Sequence, residues 1–148
     1  MSITSGLMSS DRDDWETPRS LFEELNAEFS FTLDAASSDS NAKCERHYTV
    51  EDDGLSKDRG GETVFCNPPY GRDVKLWAKK ACEESMKPGT TVVLLVASRT
   101  DTAMFHDHIL GKAEIRFIRG RLRFEIDGKP MDSAPFPSLI AVYRSEGD

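Results

Sequence analysis

The sequence predicts an open α/β sheet, mostly parallel and closed by an antiparallel C-terminal section. Three observations carry this. Early in the chain, strand-like apolar runs alternate with segments of helical spacing. The run Thr91-Val-Val-Leu-Leu-Val96 is almost continuously apolar, as a parallel strand buried on both faces should be. Towards the C-terminus, Asp127-Gly128 stands between two strand-like runs, a strong hairpin signal.

The elements follow in order. Residues 1–13 are small and polar and read as a loose tail. Residues 14–148 read as one domain, without repeat, linker or low-complexity stretch. Thr17 as N-cap, Pro18 in the first turn, and Leu21, Phe22 and Leu25 at helical spacing predict a helix start. The alternation over 29–34 predicts a strand. Residues 37–46 could hold a short helix, and 47–50 a short strand. A short apolar strand over 62–66 ends at Asn67-Pro68-Pro69-Tyr70.

Val74, Trp77, Ala78 and Ala81 predict a helix over 73–86, stopped by Pro88-Gly89. After the apolar strand comes a helix over 101–110, ended by Gly111. Strands over 115–118, 122–126 and 138–143 complete the set. The segment between Asp34 and Glu62 is short, so a doubly wound sheet here has lost most of its first crossover helices.

Composition narrows the function. Of 148 residues, 38% are hydrophobic and 30% charged, which is ordinary for a globular chain. Nineteen basic against 26 acidic side chains leave a net charge of −7, so bulk charge cannot attract nucleic acid. Any such binding must come from a local patch. No apolar run approaches the ~18 residues of a membrane span. Three cysteines without a paired framework point to a reducing cytoplasm.

In open α/β sheets, ligands bind beyond the carboxyl ends of the strands. Two such ends carry unusual chemistry: Asp34 and Asn67-Pro68-Pro69-Tyr70. Two consecutive prolines remove the backbone donors and leave carbonyl oxygens free to accept, and Asn67 adds a side-chain carbonyl beside them. That cluster suits an amino group with two hydrogens to donate. Tyr70 supplies a flat face on which an aromatic base could stack.

This loop resembles the catalytic loop of amino-methyltransferases that use S-adenosylmethionine. The whole chain is similar to one branch, the phage Dam-type DNA N6-adenine methyltransferases. The matching pieces are Trp15-Glu-Thr-Pro18 with Leu21-Phe22, Leu33-Asp-Ala-Ala36, Asn41-Ala-Lys43, Asp53-Gly-Leu55 and Val64-Phe-Cys-Asn-Pro-Pro-Tyr-Gly71. Thr100-Asp-Thr102 with Phe105-His106 and Phe117-Ile-Arg-Gly-Arg-Leu-Arg-Phe124 follow in family order.

The resemblance implies a compact Rossmann-like S-adenosylmethionine methyltransferase sheet that methylates the exocyclic N6 of adenine in double-stranded DNA. It implies neither a metal nor a covalent enzyme intermediate, and a phage or prophage protein acting in the host cytoplasm. Asn67 and the Pro68 carbonyl would hold the target amine, Pro69 would stiffen the loop, and Tyr70 would stack on a base flipped from the duplex. Trp15, Thr17 and Pro18 resemble the N-terminal cofactor motif. A glycine-rich first loop is absent; Asp34 stands there to bind the cofactor's ammonium, with Ala35 permitting close approach and Asn67 nearby. Asp53 is the candidate for the adenosine part, lying about 20 residues after Asp34. Glu51 and Asp52 compete for that role.

Against the acidic background, Arg116, Arg119, Arg121 and Arg123 form a local stripe. The last three share strand parity and could face DNA phosphates together, with Lys79 and Lys80 extending the patch. Plainer readings compete: Trp15 as core packing, Asp34 as a loop acid or helix cap, Asp53 as a turn residue, and the stripe as the wet face of a hairpin. Cys44 and His47 lack a second ligand pair at zinc spacing, and Cys66 reads as a buried strand residue. Rival functions are methylation of a protein glutamine amide, cytosine-N4 methylation, and a silent binding module that retains the fold.

Overall fold

The computed structural model describes residues 15–37, 41–49, 52, 54–69 and 73–145. The predicted tail, Glu51, Asp53 and Tyr70 lie outside them. The elements are helix α1 (Arg19–Phe29), strand β1 (Leu33–Asp34), a 3-10 turn (Gly54–Ser56), β2 (Thr63–Cys66), α2 (Val74–Glu84), β3 (Thr91–Ala97), α3 (Ala103–His108) and β4 (Glu114–Phe117). Then come β5 (Glu125–Ile126), β6 (Lys129–Pro130) and β7 (Ser138–Arg144).

Five strands form one sheet in the order β1-β2-β3-β7-β4. β1, β2 and β3 run parallel, with Asp34 beside Phe65 and Cys66 beside Leu94. β7 inserts antiparallel between β3 and β4, pairing along its whole length with β3. The expected mixed sheet is therefore present, parallel first and antiparallel later.

Strand alternation sends side chains to two layers. Leu33, Val64, Cys66, Val92, Leu94 and Val96 pack with α2 and α3 through Trp77, Ala78, Ala81, Met104 and Phe105. Phe65, Val93, Leu95, Ile140 and Val142 pack with Phe22 and Leu25 of α1, and with Trp15, Phe124, Ala134 and Phe136. Both faces of the central strands are thus buried, which explains why β3 reads as unbroken apolar sequence.

Several boundaries differ from expectation for physical reasons. Leu21, Leu25 and Phe29 recur every four residues, so α1 continues to Phe29, and only Leu33–Asp34 remains as strand. Pro18, not Thr17, caps α1. The first helical N–H, that of Arg19, reaches the Glu125 carboxylate at 3.3 Å. Thr102 accepts from Phe105 N–H at 3.3 Å, so α3 starts at Ala103 rather than 101.

Residues 41–46 form turns and bends rather than a helix. Alongside β1, the expected 47–50 strand contracts to one parallel bridge at His47. Of the expected 122–126 strand only Glu125–Ile126 pairs, with Lys129–Pro130 across the turn. Asp127 and Gly128 both take positive φ, 53° and 76°, as a two-residue hairpin turn of this twist demands.

Candidate active site

The ends of β1 and β2 lie side by side, and strand parity points Asp34 and Asn67 to the same face as Phe65, the face that carries α1. Asp34 is 2% exposed. Its N–H donates to the Arg46 carbonyl at 3.1 Å, and its carbonyl accepts from Tyr48 N–H at 2.9 Å. The carboxylate accepts from Ala36 N–H at 3.3 Å and from Lys43 N–H at 2.9 Å. Burial pushes its carboxyl up to about 6, against the pull of those two N–H groups and of the His47 and Lys43 charges.

Ala35 follows, buried, its N–H on the Phe65 carbonyl at 3.0 Å. Gly54 packs directly against it: a methyl group at that position would lie 2.5 Å from the Ala35 carbonyl and 3.0 Å from the Trp77 ring. Only glycine lets the 3-10 turn approach this closely. Beneath the turn, Arg59 is fully buried, its guanidinium 5.5 Å over Trp77 and its Nη2 donating to the Gly54 carbonyl at 3.2 Å.

At the end of β2 the chain passes from Cys66 into Asn67-Pro68-Pro69. Asn67 Nδ2 donates to the Trp15 carbonyl at 3.1 Å and to Thr17 Oγ1 at 3.2 Å. Asn67 Oδ1 is buried and has no hydrogen-bond partner. Among the described residues, no backbone N–H donates to the Pro68 carbonyl either. Two acceptors thus stand at one strand end without a donor among the described residues. Cys66 is fully buried behind them, its thiol pushed up to about 12 by burial.

The N-terminal segment that meets Asn67 is itself clamped. Glu16 and Glu125 exchange backbone hydrogen bonds of 2.9 Å in each direction. The Glu16 carboxylate accepts from Asp127 and Gly128 N–H at 2.9 and 3.3 Å. The Trp15 ring sits in the core cluster, while Thr17 and Pro18 are buried beside Asn67 and α1. Sequence reasoning missed the clamp, since nothing local marks Glu16 and Glu125 as partners.

The family model for DNA N-6-adenine-methyltransferase (Dam) matches residues 4–146. The chain belongs to the Dam family. It is 35% identical over 119 residues to the DNA N-6-adenine-methyltransferase of Escherichia phage T1, covering 79% of this chain and 49% of that protein. It is 27% identical over 149 residues to the DNA N-6-adenine-methyltransferase of Haemophilus phage HP1 (strain HP1c1), covering 97% of this chain and 86% of that protein. It thus spans about half the length of the phage T1 relative.

The remaining candidates of this Dam-family chain are dispersed. Asp52 is exposed and spends its carboxylate on Thr49, whose N–H at 2.8 Å holds it below the usual carboxylate range. Arg116 is joined at two nitrogens to Glu28, both at 2.7 Å, and also to Glu114, which ties β4 to α1. It does not gather with the other three. Arg121 and Arg123 are exposed but reach the Ala134 and Met131 carbonyls at 3.3 and 2.8 Å, and Arg119 is exposed nearby. They lie on irregular chain, so a common strand face does not form. Lys79 and Lys80 pair with Glu83 and Glu84 on α2, across the sheet, and do not extend the patch. Among the described residues, no group of three acidic, His or Cys side chains could hold a metal, and no helix is long and apolar enough to cross a membrane.

Proposed function

We propose that this Dam-family chain transfers a methyl group from S-adenosylmethionine to the exocyclic N6 of adenine in double-stranded DNA. The observation that carries the reading is the buried, unpartnered Asn67 Oδ1 beside a proline-fixed carbonyl. A buried acceptor without a donor costs about 1–3 kcal/mol, and a target amine with two hydrogens would remove that cost.

The adenine amine is a poor nucleophile because its lone pair is delocalised into the ring. By accepting its two N–H bonds, Asn67 Oδ1 and the Pro68 carbonyl hold the nitrogen in place and favour a localised pair. Pro69 keeps the loop extended. Most of the acceleration then comes from positioning and electrostatics, not from a covalent enzyme intermediate.

The residues also suit the cofactor. Asp34 is a buried carboxylate whose raised pKa marks a site short of positive charge, and an ammonium there would relieve it. Gly54 lets the 3-10 turn close onto the Ala35 carbonyl and so sets the path of the chain that follows Asp34. We assign Asp34 and Ala35 to the cofactor pocket, and Asn67, with the Trp15–Pro18 segment that holds it, to the target amine; Asp53 and the stacking residue Tyr70 are carried from the resemblance. When bound, S-adenosylmethionine supplies a methyl group on an electrophilic sulfonium.

The finer fold assignment is a Rossmann-like methyltransferase sheet: β1, β2, β3 and β4 run one way, β7 is reversed between β3 and β4, and the ligand lies at the carboxyl ends of the first strands. Residues 14–148 act as one domain, in the host cytoplasm, with DNA held by Arg119, Arg121 and Arg123. The test is methyl transfer from radiolabelled S-adenosylmethionine to unmethylated plasmid DNA, followed by nucleoside analysis. Labelled N6-methyladenine is the expected product. Label in cytosine, or in protein and not in DNA, would overturn the reading.

A further inference from the structure

We propose that Thr17, together with the Trp15 carbonyl, is a positioning element that fixes which end of the Asn67 amide faces the target amine. The inference rests on the proposed reaction, but its geometry stands independently. A carbonyl oxygen can only accept. Were the Asn67 amide turned over, its Oδ1 would lie 3.1 Å from the Trp15 carbonyl with no proton between them. The observed orientation is therefore imposed: Nδ2 spends both protons, one on Trp15 and one on Thr17 Oγ1, and Oδ1 is left aimed elsewhere.

Rotation about the amide bond is not the only freedom removed. Two hydrogen bonds from one nitrogen to two separate residues also fix the side-chain torsions. Both acceptors sit on a segment that cannot drift, because Glu16 between them is laddered to Glu125 and holds the hairpin turn. Thr17 is 2% exposed, so water does not compete for its hydroxyl. The arrangement also explains why an amide rather than a carboxylate occupies position 67. An ionised Asp there would place a charged oxygen against the Trp15 carbonyl.

The experiment compares wild type with Thr17→Val and Thr17→Ser in single-turnover methylation at saturating cofactor and DNA, with cofactor affinity from calorimetry. Thr17→Val keeps the shape and removes the acceptor. It should slow the methylation step about 3- to 10-fold, the usual effect of one missing hydrogen bond, with cofactor affinity within about two-fold of wild type. Thr17→Ser should restore the rate. Loss of cofactor affinity with an unchanged rate would make Thr17 a cofactor contact and overturn the proposal.

Nuclear magnetic resonance of the Asn67 side-chain amide separates this inference from the reaction itself. In wild type both Nδ2 protons should be protected from exchange, and in Thr17→Val one should lose protection. Unchanged protection would overturn the proposal even if DNA methylation is confirmed, and reduced protection would uphold it even if DNA proves not to be the substrate. Should Thr17→Val fail to fold, Asn67→Asp decides. Its methylation rate should rise relative to wild type as pH falls from 8 to 6, because only the protonated acid can donate to Trp15; parallel profiles would overturn the proposal.

Discussion

The ends of β1 and β2 are neighbours in one sheet, yet they are completed differently. At Asp34 both carboxylate oxygens already accept backbone N–H groups, and the surrounding loop is tied to the sheet on two sides. At Asn67 the donor half of the amide is fully used and the acceptor half is buried without a partner. The first end is a held charge with lone pairs to spare; the second is a directed acceptor without a donor among the described residues. The difference supports the proposed division, with cofactor binding at one end and the target amine at the other.

Removing the unpartnered acceptor should break the contrast most severely. Asn67→Ala is expected to lower methyl transfer by about 10²- to 10³-fold or more, since it deletes a preorganised partner of the reacting nitrogen. Cofactor affinity by calorimetry should change little. A comparable loss of cofactor affinity would show that the two ends do not divide the work.

Asp34 offers a pH test of the other end. Its folded value of about 6 lies above its ordinary 3.8, so folding favours the protonated acid. The ionised form therefore costs stability, up to about 3 kcal/mol, fully present above pH 6 and absent below about pH 4. An ammonium beside Asp34 reverses this preference. Cofactor binding should release close to one proton at pH 5 and almost none at pH 7, where Asp34 is already ionised and the amine, with an ordinary value of about 8, is still charged, read by calorimetry in buffers of different ionisation enthalpy. Affinity should weaken as pH falls through 6. Asp34→Asn should abolish the proton release and weaken cofactor binding about 10- to 100-fold, the worth of a charge-assisted hydrogen bond.

Much of this site is legible in sequence because its signals are local. Two prolines after an apolar strand announce free carbonyls, and Asp127-Gly128 announces a hairpin wherever the rest of the chain goes. What failed depends on distant partners. Thr17 looks like a helix cap beside Pro18, but its hydroxyl meets Asn67, 50 residues away. Arg116 looks like one of a stripe, but its charge is matched by Glu28, 88 residues away. Strand parity over 119–123 likewise presumed a ladder, and the pairing begins only at Glu125. Arg59, buried over Trp77, carries no sequence signal of burial at all.

The arginines extend the comparison to DNA. The segment carrying Arg119, Arg121 and Arg123 runs into Glu125, whose bridge to Glu16 lies between the Trp15 and Thr17 acceptors of Asn67. Replacing the three by alanine should flatten the dependence of log affinity on log salt by up to about 0.9 for each phosphate that is no longer neutralised. Arg116→Ala should leave that slope unchanged and lower the melting temperature instead, because its partners are Glu28 and Glu114. Equal slopes for both variants would remove the distinction between the paired arginine and the exposed three.

Gly54→Ala probes the β1 end without touching a charge. The added methyl would meet the Ala35 carbonyl at 2.5 Å, and since the obstacle is backbone, the strand end itself must move. Overpacking of this kind costs about 1–3 kcal/mol. The displaced loop carries Asp34 and Ala35, so cofactor affinity should fall several-fold. Asn67 is held from the opposite side by Trp15 and Thr17, so methylation at saturating cofactor should stay near the wild-type rate. If the rate falls while affinity holds, the strain has crossed from β1 to β2, and the two ends act as one unit.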